Sequence, residues 1–299
     1  MRNGIKTILT ALLSSVIMVS CIYDKYPGRR QYDISIQLMD NTGMVLPESV
    51  AHLNNIYWFV NGVYQKTVYA DSDGKYRLSF NAGDRVTFVA LAGSDSDMYT
   101  VYEPHEGESI TNTWLQLNTN GSIMGPQPSG IYYGCLDVVP EVNTEDLEED
   151  VSYTLTMHEV RAKARVLIKG LEGRYGKGSY RIVMEGLRSG IAYDGSSTGR
   201  YVNYDMTPDK SYGDGFDDLG NYWTEPIYVL PTRDEEPVRL LVYKANGELL
   251  FDRDIDEEGA PLLINEGEDV VLVIQASYIT ELGVTIVPWS QIDNSGVFY

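Results

Sequence analysis

The sequence is poor in the residues that carry out most protein chemistry. Its 299 residues include two cysteines, Cys21 and Cys135, and three histidines, His52, His105 and His158. Two cysteines cannot build a disulfide framework, and no H-E-x-x-H or C-x-x-C spacing offers a zinc ligand set. Phosphate-cradling glycine loops are absent from the sequence as well. We therefore predict no metal, no cofactor and no catalytic residues.

Basic residues are also scarce. The chain has 23 lysines and arginines against 43 aspartates and glutamates, which gives a formal net charge of -20. A surface this acidic repels nucleic acid and anionic headgroups, and no basic cluster in the sequence offsets it. We therefore predict no nucleic-acid partner.

The apolar run at the N-terminus is too short to span a membrane. It covers residues 8–19, whereas a transmembrane helix needs about 20 apolar residues. Basic residues precede the run and the small residue Ser20 follows it, which is typical of a secretory signal peptide. We assign residues 1–20 to this signal and predict cleavage between Ser20 and Cys21.

Cys21 gives this signal a more specific interpretation. Met18-Val19-Ser20-Cys21 resembles a bacterial lipobox, in which the cysteine thiol receives diacylglycerol and the amine freed by cleavage is acylated, for example with palmitate. Stable anchoring requires more than one acyl chain. Residues 21–30 then form a lipidated tether. The alternative is an ordinary exported protein with a chance cysteine. Cys135 has no partner in the lipidated form, and its apolar surroundings predict a buried, inert thiol.

Alternating apolar and polar residues follow the tether. Residues 32–38 show this period of two, which indicates a half-buried strand, and turn signals such as Asn61-Gly62 separate similar segments. Tyrosine outnumbers phenylalanine by 23 to 6, which suits half-buried strands. Further strands are predicted at residues 55–60, 63–70, 76–80, 85–92, 114–117, 131–139, 151–157, 162–168, 180–185, 201–204, 227–230, 238–243, 249–254, 270–276 and 284–287.

Two of these strands abut near residue 160 with no turn between them. This indicates that the chain leaves one sheet sandwich and enters another. Residues 270–274 are continuously apolar, so we expect that strand to be covered on both faces. We interpret residues 189–223, rich in glycine, aspartate and tyrosine, mostly as long loops. The predicted fold is all-β, with two tandem antiparallel β-sandwich domains at residues 31–160 and 161–299.

Three motifs with chemical meaning have plainer interpretations. Residues 195–199 match G-x-S-x-G, but that motif needs a helix after the serine and a histidine later in the chain, and the last histidine, His158, comes earlier. We interpret the segment as a Gly/Ser turn. Residues 71–74 and 214–218 carry loop carboxylates, and we interpret each as a turn in preference to a calcium site. We predict that the protein is not an enzyme.

Several segments resemble the lipidated anchor subunits of Bacteroidales-type fimbriae, the FimB-like lipoproteins. The segments are residues 20–24 at the start of the mature chain, 159–171, 180–187 and 192–195 in the second half, and 284–289 near the end. The resemblance implies two transthyretin-like β-sandwiches and lipid attachment to the outer membrane, with the protein surface-exposed at the base of a fimbrium. It also implies that the protein anchors or terminates the fimbrium and binds stalk or accessory subunits by strand addition.

Two alternatives stay open. In related polymerising subunits, cleavage after an arginine removes an N-terminal segment, and cleavage after Arg29 or Arg30 here would separate Cys21 from the fold. A solvated dibasic tether is the interpretation favoured for an anchor. The alternative function is a surface glycan-binding lipoprotein, which the tyrosine and tryptophan content and the tandem β domains motivate.

Overall fold

The structure, a computed structural model, describes residues 30–40, 42–50, 53–72, 75–80, 83–94, 97–139, 151–233, 236–276 and 283–292. This part of the chain is nearly all β, which confirms the all-β part of the predicted fold class, and eighteen strands form three sheets within it. Its helices are α1 (Leu171–Tyr175) and the 3-10 helices η1 (Glu48–Val50), η2 (Ile110–Asn112), η3 (Lys210–Tyr212) and η4 (Trp289–Gln291). No helix in the described ranges is long and apolar enough to cross a membrane.

Sheet 1 has seven strands from the first half of the chain. They are β1 (Arg30–Met39), β2 (Leu53–Val60), β3 (Val63–Val68), β4 (Tyr76–Phe80), β5 (Val86–Ala92), β8 (Tyr132–Val138) and β9 (Val151–Glu159). Their order is β3-β2-β5-β8-β9-β1-β4. β8 and β9 pair at two positions, Tyr132 with Glu159 and Tyr133 with His158, so this junction divides sheet 1 into a four-stranded and a three-stranded leaf.

The two leaves of sheet 1 fold over each other. Seven strands laid flat would place β3 and β4 about 29 Å apart. The connection between them is closed instead by a turn in which the Asp71 N–H donates to the Lys75 carbonyl at 2.8 Å. Ile34 of one leaf and Phe88 of the other belong to one buried cluster, so the core of sheet 1 lies between its leaves. Burying each such side chain contributes about 1.5–3 kcal/mol.

The remaining strands form sheets 2 and 3. Sheet 2 contains β6 (Tyr99–Val101), β7 (Trp114–Leu117), β11 (Tyr180–Ala192), β12 (Ser197–Met206), β15 (Arg239–Lys244) and β16 (Leu249–Arg253), in the order β16-β15-β11-β7-β6 with β12 also on β11. Sheet 3 contains β10 (Ala162–Lys169), β13 (Tyr222–Trp223), β14 (Ile227–Val229), β17 (Asp269–Gln275) and β18 (Val284–Pro288), in the order β13-β10-β17-β18 with β14 also on β10.

Sheets 2 and 3 enclose a second core, and a third core joins the two halves of the chain. Leu240 of sheet 2 and Leu272 of sheet 3 share the second core. Tyr57 of sheet 1 and Ile191 of sheet 2 share the third. β6 and β7 come from the first half of the chain yet belong to sheet 2, where β7 pairs with β11. The division into two domains at residue 160 stays a prediction.

Two aspects of the sequence-based fold need correction. The sheets are not purely antiparallel, because β1 pairs with β9 and β10 pairs with β17 in parallel. Residues 189–223 contain more strand than predicted, since they include the end of β11, all of β12 and β13. The glycines there serve close backbone approach: a Cβ at Gly190 would lie 2.8 Å from the Leu115 carbonyl oxygen of the neighbouring strand. The prediction that residues 270–274 are buried on both faces is confirmed.

Candidate functional site

The residues predicted to carry the lipid anchor lie mostly outside the described part of the chain. Ser20, Cys21 and Arg29 fall outside it. Arg30 is the first residue of β1 and pairs with Phe80 of β4. Arg30, predicted as the last tether residue, thus already belongs to an internal strand of sheet 1, because β1 lies between β9 and β4.

The G-x-S-x-G segment lies at a hairpin between two strands. Gly195 closes the turn after β11, with its N–H donating to the Ala192 carbonyl at 2.9 Å, and Ser197 begins β12. A nucleophile elbow needs a helix after the serine, and here a strand follows. Within the described ranges, no three His, Cys, Asp or Glu side chains are grouped to hold a metal ion.

The loop carboxylate Asp217, one of those considered for calcium, has a structural role. It accepts hydrogen bonds from the backbone N–H groups of Leu219 and Asn221, both at 2.9 Å, from the Asn221 amide at 3.0 Å and from the Trp223 indole at 2.9 Å. Burial alone would raise the pKa of Asp217, but the Trp223 and Asn221 hydrogen bonds outweigh it and hold the pKa below its usual value. The carboxylate thus organises its own loop.

The predicted burial of Cys135 is wrong. The residue is exposed on β8 because side chains alternate across the strand, and its neighbour Gly134 occupies the buried side. Cys135 lines a groove of about 410 Å³ together with Arg85 and Asp137. Arg85 and Asp137 form an ion pair with each other, and Asp137 also accepts a hydrogen bond from Thr87 at 2.6 Å. Asp194 also lines the groove, and its Oδ1 accepts hydrogen bonds from the Ser196 N–H and hydroxyl at 2.9 and 2.7 Å.

The outer face of sheet 3 is closed by a cationic and aromatic cluster. Arg165 is 8% exposed and forms a buried ion pair with Asp209. Its guanidinium lies 4.5 Å from the ring centre of Trp223 and 4.8 Å from that of Trp289. Both tryptophan rings therefore already make cation–π contacts with Arg165 inside the protein. None of the four tryptophans of the chain is exposed.

The sheet edges are the remaining candidates for a functional surface, because a terminal strand presents unpaired backbone groups. The outer edge of β3 is partly covered, since Tyr64 N–H donates to the Glu108 carbonyl at 2.7 Å. β12 is covered at Asn203, whose carbonyl accepts from Gly125 N–H at 2.9 Å. On β4, Arg77 is held in ion pairs, and such charges discourage pairing.

The edges of β16 and β18 flank a cleft on one side of sheets 2 and 3. Its volume is about 830 Å³. One wall is formed by the end of β16 and residues 254–259, and the other by Gly283 and Val284. Glu257 links the walls, because its N–H donates to the Val284 carbonyl at 3.1 Å. Sequence reasoning missed this cleft, although the run of acidic residues at 252–258 marks one of its walls.

The fold defines the class: this is an all-β protein whose sheets end in terminal strands with unpaired backbone groups. The family follows from sequence. The profile of the fimbrillin-A associated anchor proteins Mfa1 and Mfa2 matches residues 41–294, and the chain belongs to this family. The resemblance found in the sequence is thereby confirmed, and the protein is fimbria-associated. No curated protein matches the sequence.

Solved structures share the fold. The fimbrial anchor protein Mfa2 from Porphyromonas gingivalis is 15% identical, with a TM-score of 0.61 over 87% of this chain and 98% of that one. A candidate polysaccharide-binding protein from Bacteroides thetaiotaomicron is 13% identical, with a TM-score of 0.58 over 90% and 100%. A candidate adhesin from Bacteroides ovatus is 12% identical, with a TM-score of 0.57 over 87% and 94%.

Proposed function

We propose that the protein anchors or terminates a fimbrium at the outer membrane, held there by lipid on Cys21. The observation that carries this proposal is the family match over residues 41–294, combined with the lipobox that precedes it. Two or more acyl chains on one cysteine supply the affinity that stable anchoring needs. The protein is surface-exposed at the base of the fimbrium and does no catalysis.

The position of β1 suits a strand that transmits force from the membrane to the fold. The tether of residues 21–30 leads directly into this strand. β1 pairs with β9 in parallel from Tyr32 to Met39 and with β4 from Arg30 to Ile34. A pull on the lipid therefore acts along an internal strand that has neighbours on both sides. A peripheral strand would peel off one hydrogen bond at a time.

Strand addition is the proposed mode of subunit binding. The leaves of sheet 1 form one transthyretin-like sandwich and sheets 2 and 3 form the other. A terminal strand of either sandwich offers N–H and C=O groups to an extended segment of a neighbour, and side-chain pockets give specificity. The partners are the stalk or accessory subunits of the same fimbrium.

A glycan-binding lipoprotein is the second candidate function. One structural neighbour is described as a candidate polysaccharide-binding protein. Glycan platforms use exposed aromatic faces, and here the tryptophans are buried or half-buried. A polysaccharide affinity gel separates the two functions, since an anchor should migrate through it without retardation.

Mass spectrometry of the protein from the outer-membrane fraction tests the anchor proposal. We expect a mature chain that starts at Cys21, carries a diacylglyceryl thioether and an amide-linked acyl chain, and continues through Arg29 and Arg30. The pairing of Arg30 with Phe80 favours this result, because a protease would have to open the start of β1. A mature form that starts at Gln31 would contradict the anchor role.

A further inference from the structure

We propose that the free edge of β16 and the acidic cleft at its end bind an extended segment that bears lysine or arginine, contributed by a neighbouring fimbrial subunit. This inference rests on the proposed function for the origin of the partner. It adds which edge is used and which charge the partner carries.

β16 is a terminal strand of sheet 2, with five residues against the three of β6 at the opposite end. Its one described strand neighbour is β15, and no backbone hydrogen bond from another described segment reaches Leu249 to Asp252. β18, on the other side of the cleft, is partly blocked because Val284 already accepts from Glu257. Five residues of β16 span about 17 Å, long enough to pair with a short extended segment.

Apolar side chains mark both ends of the proposed binding path. Leu249 at the start of β16 is 47% exposed, and Ile255 just beyond its end is 43% exposed. An added strand would cover the outer edge between them. Removing these two side chains from water favours a partner segment that also carries apolar residues.

The charge of the cleft indicates the charge of the partner segment. Asp252 is neutralised by Arg239, which donates to its two oxygens at 2.7 and 2.6 Å. Asp254, Glu257 and Glu258 are exposed and take part in none of the ion pairs of the described residues. Arg253 also lines the cleft, against five carboxylates, so the net charge of the cleft is negative. A negative cleft at the end of an open edge attracts a cationic segment and repels an acidic one.

The side chain of Asp256 does not face the partner but stabilises the turn that forms one wall of the cleft. Its Oδ1 accepts from the N–H groups of Glu258 at 2.9 Å and Ala260 at 2.8 Å. The turn is therefore held by Asp256, whereas Glu257 and Glu258 project from it. Neutralising the three exposed carboxylates should leave the fold intact.

The test measures binding of the purified full chain to fimbriae shed by a strain that lacks the gene. The triple variant Asp254→Asn, Glu257→Gln, Glu258→Gln should bind about tenfold more weakly at low salt. Each exposed ion pair with the partner contributes only part of the free energy that a tenfold change in Kd requires, so the three together account for about one such change. High salt should shrink this difference. A matched control, Asp97→Asn, Glu106→Gln, Asp218→Asn, removes the same charge from exposed positions elsewhere and should bind normally.

A second pair of variants tests the sign of the partner's charge. Leu249→Lys and Leu249→Glu lose the same apolar contact at an exposed position, so folding affects both alike. A cationic partner should bind Leu249→Lys several-fold more weakly than Leu249→Glu. Equal binding by these two variants, together with unchanged binding by the cleft variant, would overturn the inference. If the unaltered protein fails to bind the fimbriae at all, the proposed function itself fails.

Discussion

Replacing Cys21 with serine is expected to move the protein, and the fimbriae it holds, from the cells to the medium. In the proposed function the sulfur of Cys21 accepts diacylglycerol, and a serine hydroxyl at this position would leave the signal without a lipidation site. Under the proposed function, a protein without acyl chains lacks the affinity that stable anchoring needs. We expect the cell-bound fraction to fall about tenfold or more.

Immunoblots of cell and medium fractions measure this effect, and Cys135→Ser supplies the matched control. Cys135 is the other cysteine of the chain and is exposed on β8, so its replacement should alter neither folding nor partition. A Cys21→Ser protein that stays with the cells would show that attachment does not depend on the lipid. Release caused equally by Cys135→Ser would assign the effect to general damage.

The largest expected effect on stability comes from Arg165→Met. Arg165 is buried on the outer face of sheet 3, where it pairs with Asp209 and donates from Nε to the Thr224 carbonyl at 2.7 Å. Methionine fills much of the volume between Trp223 and Trp289 but leaves the Asp209 carboxylate buried without its cation. Breaking a buried pair in this way costs about 3–5 kcal/mol of the free energy of unfolding.

Denaturant unfolding of the purified protein measures this loss, with Arg181→Met as the control. Arg181 donates to Asp205 at 2.9 Å in a pair whose side chains are 59% and 48% exposed. An exposed pair of this kind contributes about 0–1 kcal/mol. If both variants lose the same amount of stability, the ion pair of Arg165 does not support the fold as we describe.

Local patterns in the sequence predicted strands well but not their partners. The period of two in residues 32–38 and the apolar run at 270–274 are properties of single segments, and both were visible. The pairing of β1 with β9 cannot be read from either segment alone. The same holds for β7 and β11, whose paired residues, such as Gln116 and Gly190, are more than 70 positions apart in sequence. The glycines of residues 189–223 resembled loop signals, although several mark close contact between strands.

The proposed functional residues also differ in whether the sequence alone could predict them. The lipobox-like segment that ends at Cys21 is a short contiguous motif, so the proposed lipidation site could be predicted from sequence. The proposed binding edge could not, because it combines β16 with a cleft whose second wall, at Gly283, lies about 30 residues further along the chain. The exposure of Cys135 depends on which face of β8 meets the core, and a one-residue change in register would have buried it.

The central claim is tested most directly by deleting the gene and counting cell-bound and shed fimbriae by electron microscopy. We predict that fimbriae accumulate in the medium and that their length changes, because the subunit that seats or terminates them is missing. Expression of the unaltered protein should restore both. Unchanged attachment and unchanged length in the deletion strain would contradict the claim that this protein anchors a fimbrium.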